Sequence, residues 1–139
     1  WYYTGDSSTD NTRWTTSDYE KSIYDPCPPG WRVPPDGREY GVWYKAGFND
    51  TTPDNTNKGI SFSISSPSQT WYPFSGCRAS EYVTGVPEYL ILVGRYGHYW
   101  SASPRTYNVF CLDLDYFGRV DSNGGENRYI GMSVRCIQE

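Results

Sequence analysis

Any imidazole chemistry in this chain must use His98, its one histidine. Nearby Ser101 and Ser103 lie in YWSASP, a strand-like run rather than the G-x-S-x-G turn that exposes a nucleophile. With no motif assigning roles, a surface or binding-face histidine is favoured over a catalytic one. Cys77 and Cys111 are further nucleophile candidates, and pairing between them stays open because sequence supplies no distance. DSNGGE at 121–126 clusters oxygen donors. Such donors suit a hard cation, but Asp-Ser-Asn-Gly is also a turn, and turn is the preferred reading. No metal and no cofactor is expected.

The densest set of contact-making side chains begins at Arg95. Arg95, Tyr96, His98, Arg105, Tyr107, Cys111, Asp113, Asp115, Tyr116, Arg119, Asp121, Arg128 and Tyr129 fall between apolar anchors. Tyrosine offers large contact area at low rotamer cost and arginine adds bidentate hydrogen bonds, the mixture that binding surfaces favour. The plain alternative is a solvated face of charges. Four tyrosines there (96, 107, 116 and 129) tip the balance, since rings left facing water want a cover.

Strands must hold these residues. In VFCLDLD, Phe110, Leu112 and Leu114 share one face and Cys111, Asp113 and Asp115 the other, so an inward apolar face turns the second set outward. The expectation is one continuous exposed patch. GISFSISS alternates Ile60, Phe62 and Ile64 with serines. TWYPFSGCR and EYLILVG are short strand-like pieces, and YIGMSVRCI alternates Ile130, Met132 and Val134. PPDGREYGVWYKAGF carries the one helix expectation, with Asp36 as N-cap, Glu39 three residues on, Val42 and Trp43 inward, and Gly47 as the stop. Residues 49–58 are a loop by composition. Short strands, one helix and long connections indicate an α+β fold with a mostly antiparallel sheet.

Composition agrees with strands and turns: Gly 14, Pro 10, Tyr 14, Trp 6 and one Met in 139 residues, with aromatics at 18%. Residues 1–139 are expected to form a single domain, with 1–23 packed on it through Trp1, Tyr2, Tyr3 and Trp14. A net charge of −4 excludes the basic footprint of nucleic-acid binding. No apolar run reaches 18 residues, so no direct membrane insertion is expected. The opening WYYTGD, lacking an initiator Met and a signal peptide, is expected to have been cut from a longer protein. In YDPCPPGWRVP, Pro26, Pro28 and Pro29 fix a stiff corner around Cys27. Trp31 and Trp100 are read as core.

DPCPPGWRVP, GVWYKAGF, TWYPFSGCR, YWSASP and a closing SVRC, in that order, resemble the C-terminal domain of Bacteroidales fimbrillin-like and related surface lipoproteins, from about residue 12 onward. They are similar also to the variable proteins of diversity-generating retroelements. The resemblance implies a C-type lectin-like fold and a Cys27–Cys136 disulfide, with two buried free thiols as the alternative. It places Cys77 where relatives carry Tyr and Cys111 where they carry a polar residue. Tyr99, Trp100, Leu112, Leu114, Gly118, Val120, Gly131, Ser133 and Val134 match the constant framework, and the residues between them match positions that vary. The Glu-Pro-Asn and Trp-Asn-Asp motifs of Ca²⁺-dependent lectins are missing, FND at 48–50 being a partial echo. The leading expectation is a non-enzymatic, Ca²⁺-independent module of an extracellular bacterial surface protein that binds a protein or glycan ligand. A structural domain of a fimbrial or lipoprotein assembly comes second, and an enzyme of the formylglycine-generating type third.

Overall fold

The computed structural model describes residues 11–15, 20–35, 41–48, 51–65, 68–79 and 89–139. In chain order the elements are β1 (Trp31–Arg32), α1 (Val42–Lys45), β2 (Gly59–Ser65), β3 (Ser68–Pro73), β4 (Cys77–Ala79), β5 (Tyr89–Ile91), β6 (Tyr96–Pro104), β7 (Val109–Asp115), β8 (Val120–Glu126) and β9 (Ile137–Gln138). All strand pairs are antiparallel: β1 with β9, β2 with β3, β4 with β5, and β7 between β6 and β8. Single bridges stitch these pieces together. Gly76 meets Gly97, Arg78 meets Gly131 and Tyr99 meets Ser133.

The fold is therefore β-rich, and the α+β, C-type lectin-like expectation is corrected. Helix among the described residues amounts to the four residues of α1. The physical reason is length: a single turn nucleates poorly alone. Gly47, at φ 70°, stops it as expected, its N–H bonding the Tyr44 carbonyl at 3.0 Å. Only Trp43 of the helix is buried. The expected capping pair, Asp36 and Glu39, lies outside the described residues.

Two further expectations change. DSNGGE is a strand, not a turn, because its glycines let neighbours cross it. A Cβ on Gly124 would sit 2.2 Å from Asp113 Oδ2, and one on Gly125 2.8 Å from Arg105 Nη1. YIGMSVRCI is not a continuous strand either. Its middle touches β4 at Gly131 and β6 at Ser133, one residue at a time, and Val134 stays exposed.

Alternation does place the core of the other strands. Ile60 and Phe62 are buried, with Tyr72 of β3 opposite Ile60. They join Trp43, Phe48, Phe74, Tyr99, Leu112 and Leu114 in an aromatic-rich cluster. There the Phe48 and Phe62 rings stack at 3.9 Å, and the Trp43 indole donates to Tyr72 Oη at 3.1 Å. Trp100, Val109, Cys111, Cys77, Ala79 and Ile130 form a second cluster. Successive residues of β6 and β7 enter different clusters (Tyr99 against Trp100, Leu112 against Cys111), so this sheet is covered on both faces.

Cys27 and Cys136 form a disulfide with Cα atoms 5.8 Å apart. The proline corner is held by polar groups as well. Asp25, buried, accepts from the N–H groups of Cys27 at 2.8 Å and Val33 at 2.9 Å. Lys21 donates to the carbonyls of Cys27, Pro28 and Trp31. Cys27 packs with Val33, Ala102 and part of Trp14 in a third cluster. Trp1, Tyr2 and Tyr3, expected as further anchors, lie outside the described residues. Trp31 is corrected from core to surface, at 43% exposure, whereas Trp100 is 1% exposed.

Candidate functional site

The antiparallel register sets Tyr96 opposite Asp115 and His98 opposite Asp113, and β8 brings Asp121 opposite Asp113. Side chains of cross-strand partners share a face. One face of the sheet thus runs from the buried Trp100–Cys111 pair to a polar end of Tyr96, His98, Asp113, Asp115 and Asp121.

His98 Nδ1 lies 2.8 Å from Asp113 Oδ1. An ionised carboxylate only accepts, so Nδ1 is the donor in this pair. The same Oδ1 receives the Cys111 thiol at 3.4 Å. The Tyr96 ring stacks parallel to His98 at 6.0 Å, and Tyr116 meets Tyr96 edge-on at 6.5 Å.

The turn after β7 completes the site. Asp115 Oδ1 accepts from the N–H groups of Phe117 at 2.9 Å and Arg119 at 3.1 Å, and the Gly118 N–H bonds the Asp115 carbonyl. Gly118 has φ 99°, and a Cβ there would strike the Thr51 carbonyl oxygen at 2.0 Å. Arg119 is thereby aimed back over the sheet, donating to Asp121 Oδ2 at 2.9 Å. Tyr96, His98, Asp113, Leu114, Asp115 and Arg119 line an open cleft of about 120 Å³.

The other expected site residues divide. Arg95 is exposed, and its carbonyl accepts from Tyr116 N–H, which keeps it beside the cleft. Arg105, Tyr107, Arg128 and Tyr129 belong to the opposite end. β7 has seven residues, so at about 3.4 Å per residue its ends stand roughly 20 Å apart. The single continuous patch is corrected to two regions. At the far end Arg105 lies over the Phe110 ring at 5.4 Å, while Tyr107 and Tyr129 are exposed.

Two members of the expected set are not surface groups. Arg128 is 4% exposed and donates to the carbonyls of Tyr107 and Arg105 and to Asn11 Oδ1. It ties a turn together, because a buried guanidinium must spend its donors on local acceptors. Cys111 is fully buried, its face of β7 being covered by Trp100, Val109 and Ile130. Burial foremost, then the Asp113 charge, pushes its thiol far above the usual range. Burial, with Glu126 and Asp113 behind it, also raises Cys77. Both are free thiols, held in the protonated form that is the poorer nucleophile.

Ser101 is buried, its Oγ accepting from the Ser103 N–H at 2.9 Å. Among the described residues no group of three or more His, Cys, Asp or Glu is placed to hold a metal ion. Of FND, Phe48 is core, while Asn49 and Asp50 lie outside the described residues. Within the framework set, Tyr99, Trp100, Leu112, Leu114 and Gly118 are buried, Val120 and Ser133 half-buried, and Gly131 and Val134 exposed.

Phe117, 74% exposed and 4.0 Å from the Tyr116 ring, stands on the turn beside the cleft without lining it and is absent from the expected set. Its signal is present in D-Y-F-G, with Asp first and Gly fourth, the preferred ends of a type I turn. Comparison with protein-family models, curated proteins and solved structures returns no match for this chain.

Proposed function

We propose that this protein is a non-enzymatic binding module that takes a protein or glycan ligand in the Tyr96–Asp115–Arg119 cleft. One observation carries the reading. Aromatic rings, carboxylates and a guanidinium converge on one open cleft, and a turn requiring Gly118 fixes their geometry. Rings offer stacking surface, and Asp115 and Arg119 offer directional hydrogen bonds, the division of labour found in ligand sites. Buried thiols held protonated, and a histidine whose Nδ1 bonds a carboxylate, favour binding over catalysis. The disulfide fits an oxidising compartment. The likeness to bacterial surface lipoproteins and retroelement variable proteins supports display at a bacterial cell surface.

The test is a glycan and peptide array probed with the protein and with a Tyr96→Ala/Arg119→Ala double variant. Selective capture by the parent, lost in a variant whose melting temperature is unchanged, is the expected result. Equal capture by both, or capture by neither, overturns the reading.

A further inference from the structure

The stitched strands form one path: β5, β4, the Gly131–Ser133 segment, β6, β7 and β8. Among the described residues it has two outer edges, built differently. β8 is glycine-rich and carries Asp121 and Glu126, the charged, irregular character that keeps an edge from pairing. β5 is Tyr-Leu-Ile, pairs only with β4 among the described residues, and has no charge. Tyr89 is 56% exposed and Leu90 59%, and the following turn leaves Leu92 40% and Val93 57% exposed.

Leu92 adds a second observation. It holds φ 64°, a left-handed conformation that leucine adopts at a steric cost and glycine or asparagine would take more easily. Its carbonyl accepts from Arg95 and Tyr96 N–H, and Gly94 N–H bonds the Phe74 carbonyl, so the turn is pinned with its side chain outward. Strain of this kind, on an exposed apolar residue, marks a side chain kept for contact.

Charge decides the occupant. Lys58 and Arg95 are both exposed and flank the turn: a Cβ on Gly94 would lie 3.7 Å from Lys58 Cδ, and Arg95 follows directly. Neither makes an ion pair among the described residues. A second copy would bring the same cations with it. The four apolar side chains expose on the order of 100 Å² each, about half of what a large residue can bury, so a symmetric pair would cover roughly 800 Å². That is less than the roughly 1,200 Å² at which stable interfaces begin. A single added strand needs no such area, because main-chain hydrogen bonds supply much of its affinity.

We propose that the outer edge of β5, unpaired among the described residues, docks an extended acidic segment of another protein, which joins the sheet as a further strand. Its apolar side chains lie over Tyr89, Leu90, Leu92 and Val93, and its carboxylates face Lys58 and Arg95. This surface borders the cleft at Arg95, but the apolar residues that would receive the strand do not line the cleft.

The experiment titrates ¹⁵N-labelled protein with a synthetic peptide of alternating valine and glutamate. A version with lysine for glutamate and one with a central proline serve as controls. The acidic peptide should shift the amides of residues 89–93, and Lys58→Glu should weaken it at least fivefold. Leu92→Asn should also weaken it while leaving the melting temperature equal or higher, since asparagine relieves the strain. The proline peptide should not bind. No shift at millimolar acidic peptide, equal binding of the lysine peptide, or shifts confined to β8 or the cleft overturns the proposal. So does micromolar self-association through β5, or binding to vesicles of anionic lipid in place of the peptide.

Discussion

His98 and Asp113 face each other across the β6–β7 ladder at 2.8 Å, with the histidine side chain only 11% exposed. Asp113 thereby satisfies two partners at once, the imidazole and the Cys111 thiol. Asp113→Ala leaves both without an acceptor. It should cost about 1–3 kcal/mol, the penalty for orphaning a buried polar group, measured by denaturant unfolding. Asp113→Asn, which keeps a carbonyl acceptor, should cost less. Equal losses for the two variants would mean that volume, not hydrogen bonding, sets the value of the residue.

Gly118 should tolerate no side chain. Its φ of 99° and the 2.0 Å approach of the Thr51 carbonyl leave no space for a Cβ. Gly118→Ala should destabilise by more than the about 1 kcal/mol at stake where the backbone is compatible. It should also displace Arg119, visible as altered amide shifts at residues 119–121. A neutral effect would show that the turn rearranges freely.

Trp100 and Trp31 should part company on substitution. Trp100→Ala removes a fully buried ring that packs with Val109 and Cys111 and should cost about 3–5 kcal/mol. Trp31 stands 43% exposed, and its replacement should cost well under half as much. Similar losses for both would place Trp31 in the core after all.

The difference between these tryptophans shows where sequence reading stops. Period-two alternation correctly paired Ile60 with Phe62 and Leu112 with Leu114, because one face must be apolar wherever a strand borders a core. It tells which residues share a face, not whether the opposite face is covered. For that reason alternation turns Cys111 outward, whereas Trp100 and Ile130 cover it. Arg128 looked like a surface cation because its acceptors, the Tyr107 and Arg105 carbonyls, lie 21 and 23 residues away. The His98–Asp113 pair depends likewise on strand register, which composition does not encode. By contrast, the stiff corner at Pro26–Pro29 was local and legible, though its Asp25 and Lys21 supports were not.

The disulfide should be worth a large share of stability. Cys27 and Cys136 are separated by 109 residues, and closing so long a loop contributes on the order of 4–5 kcal/mol in the chain-entropy model. Cys27→Ser/Cys136→Ser should lower the unfolding free energy by about that amount, and reductant should do the same to the parent. A loss below about 1 kcal/mol would leave Asp25, Lys21 and the third cluster as the real fasteners of the corner.

Tyr99 should make the protein sensitive to alkali. Its hydroxyl donates to the Pro73 carbonyl at 2.6 Å, and burial pushes the phenol up to about 12, against opposing contributions from Ser75 and Arg135. In the unfolded chain a tyrosine ionises near 10. Between about pH 10 and 12 the unfolded state therefore releases a proton that the folded state keeps. The Tyr99 contribution is complete below that window and is lost as pH rises through it, by up to about 1.4 kcal/mol per unit. The two buried thiols, raised in the same direction, begin the decline near pH 9. Tyr99→Phe should lower stability at neutral pH, since the Pro73 carbonyl loses one of its two donors and keeps only the Ser75 N–H, yet flatten the slope between pH 10 and 12 relative to the parent. Denaturant unfolding of both proteins at half-unit steps from pH 8 to 12 measures the two slopes. Parallel curves would show that Tyr99 ionises in the folded protein as readily as in the unfolded chain.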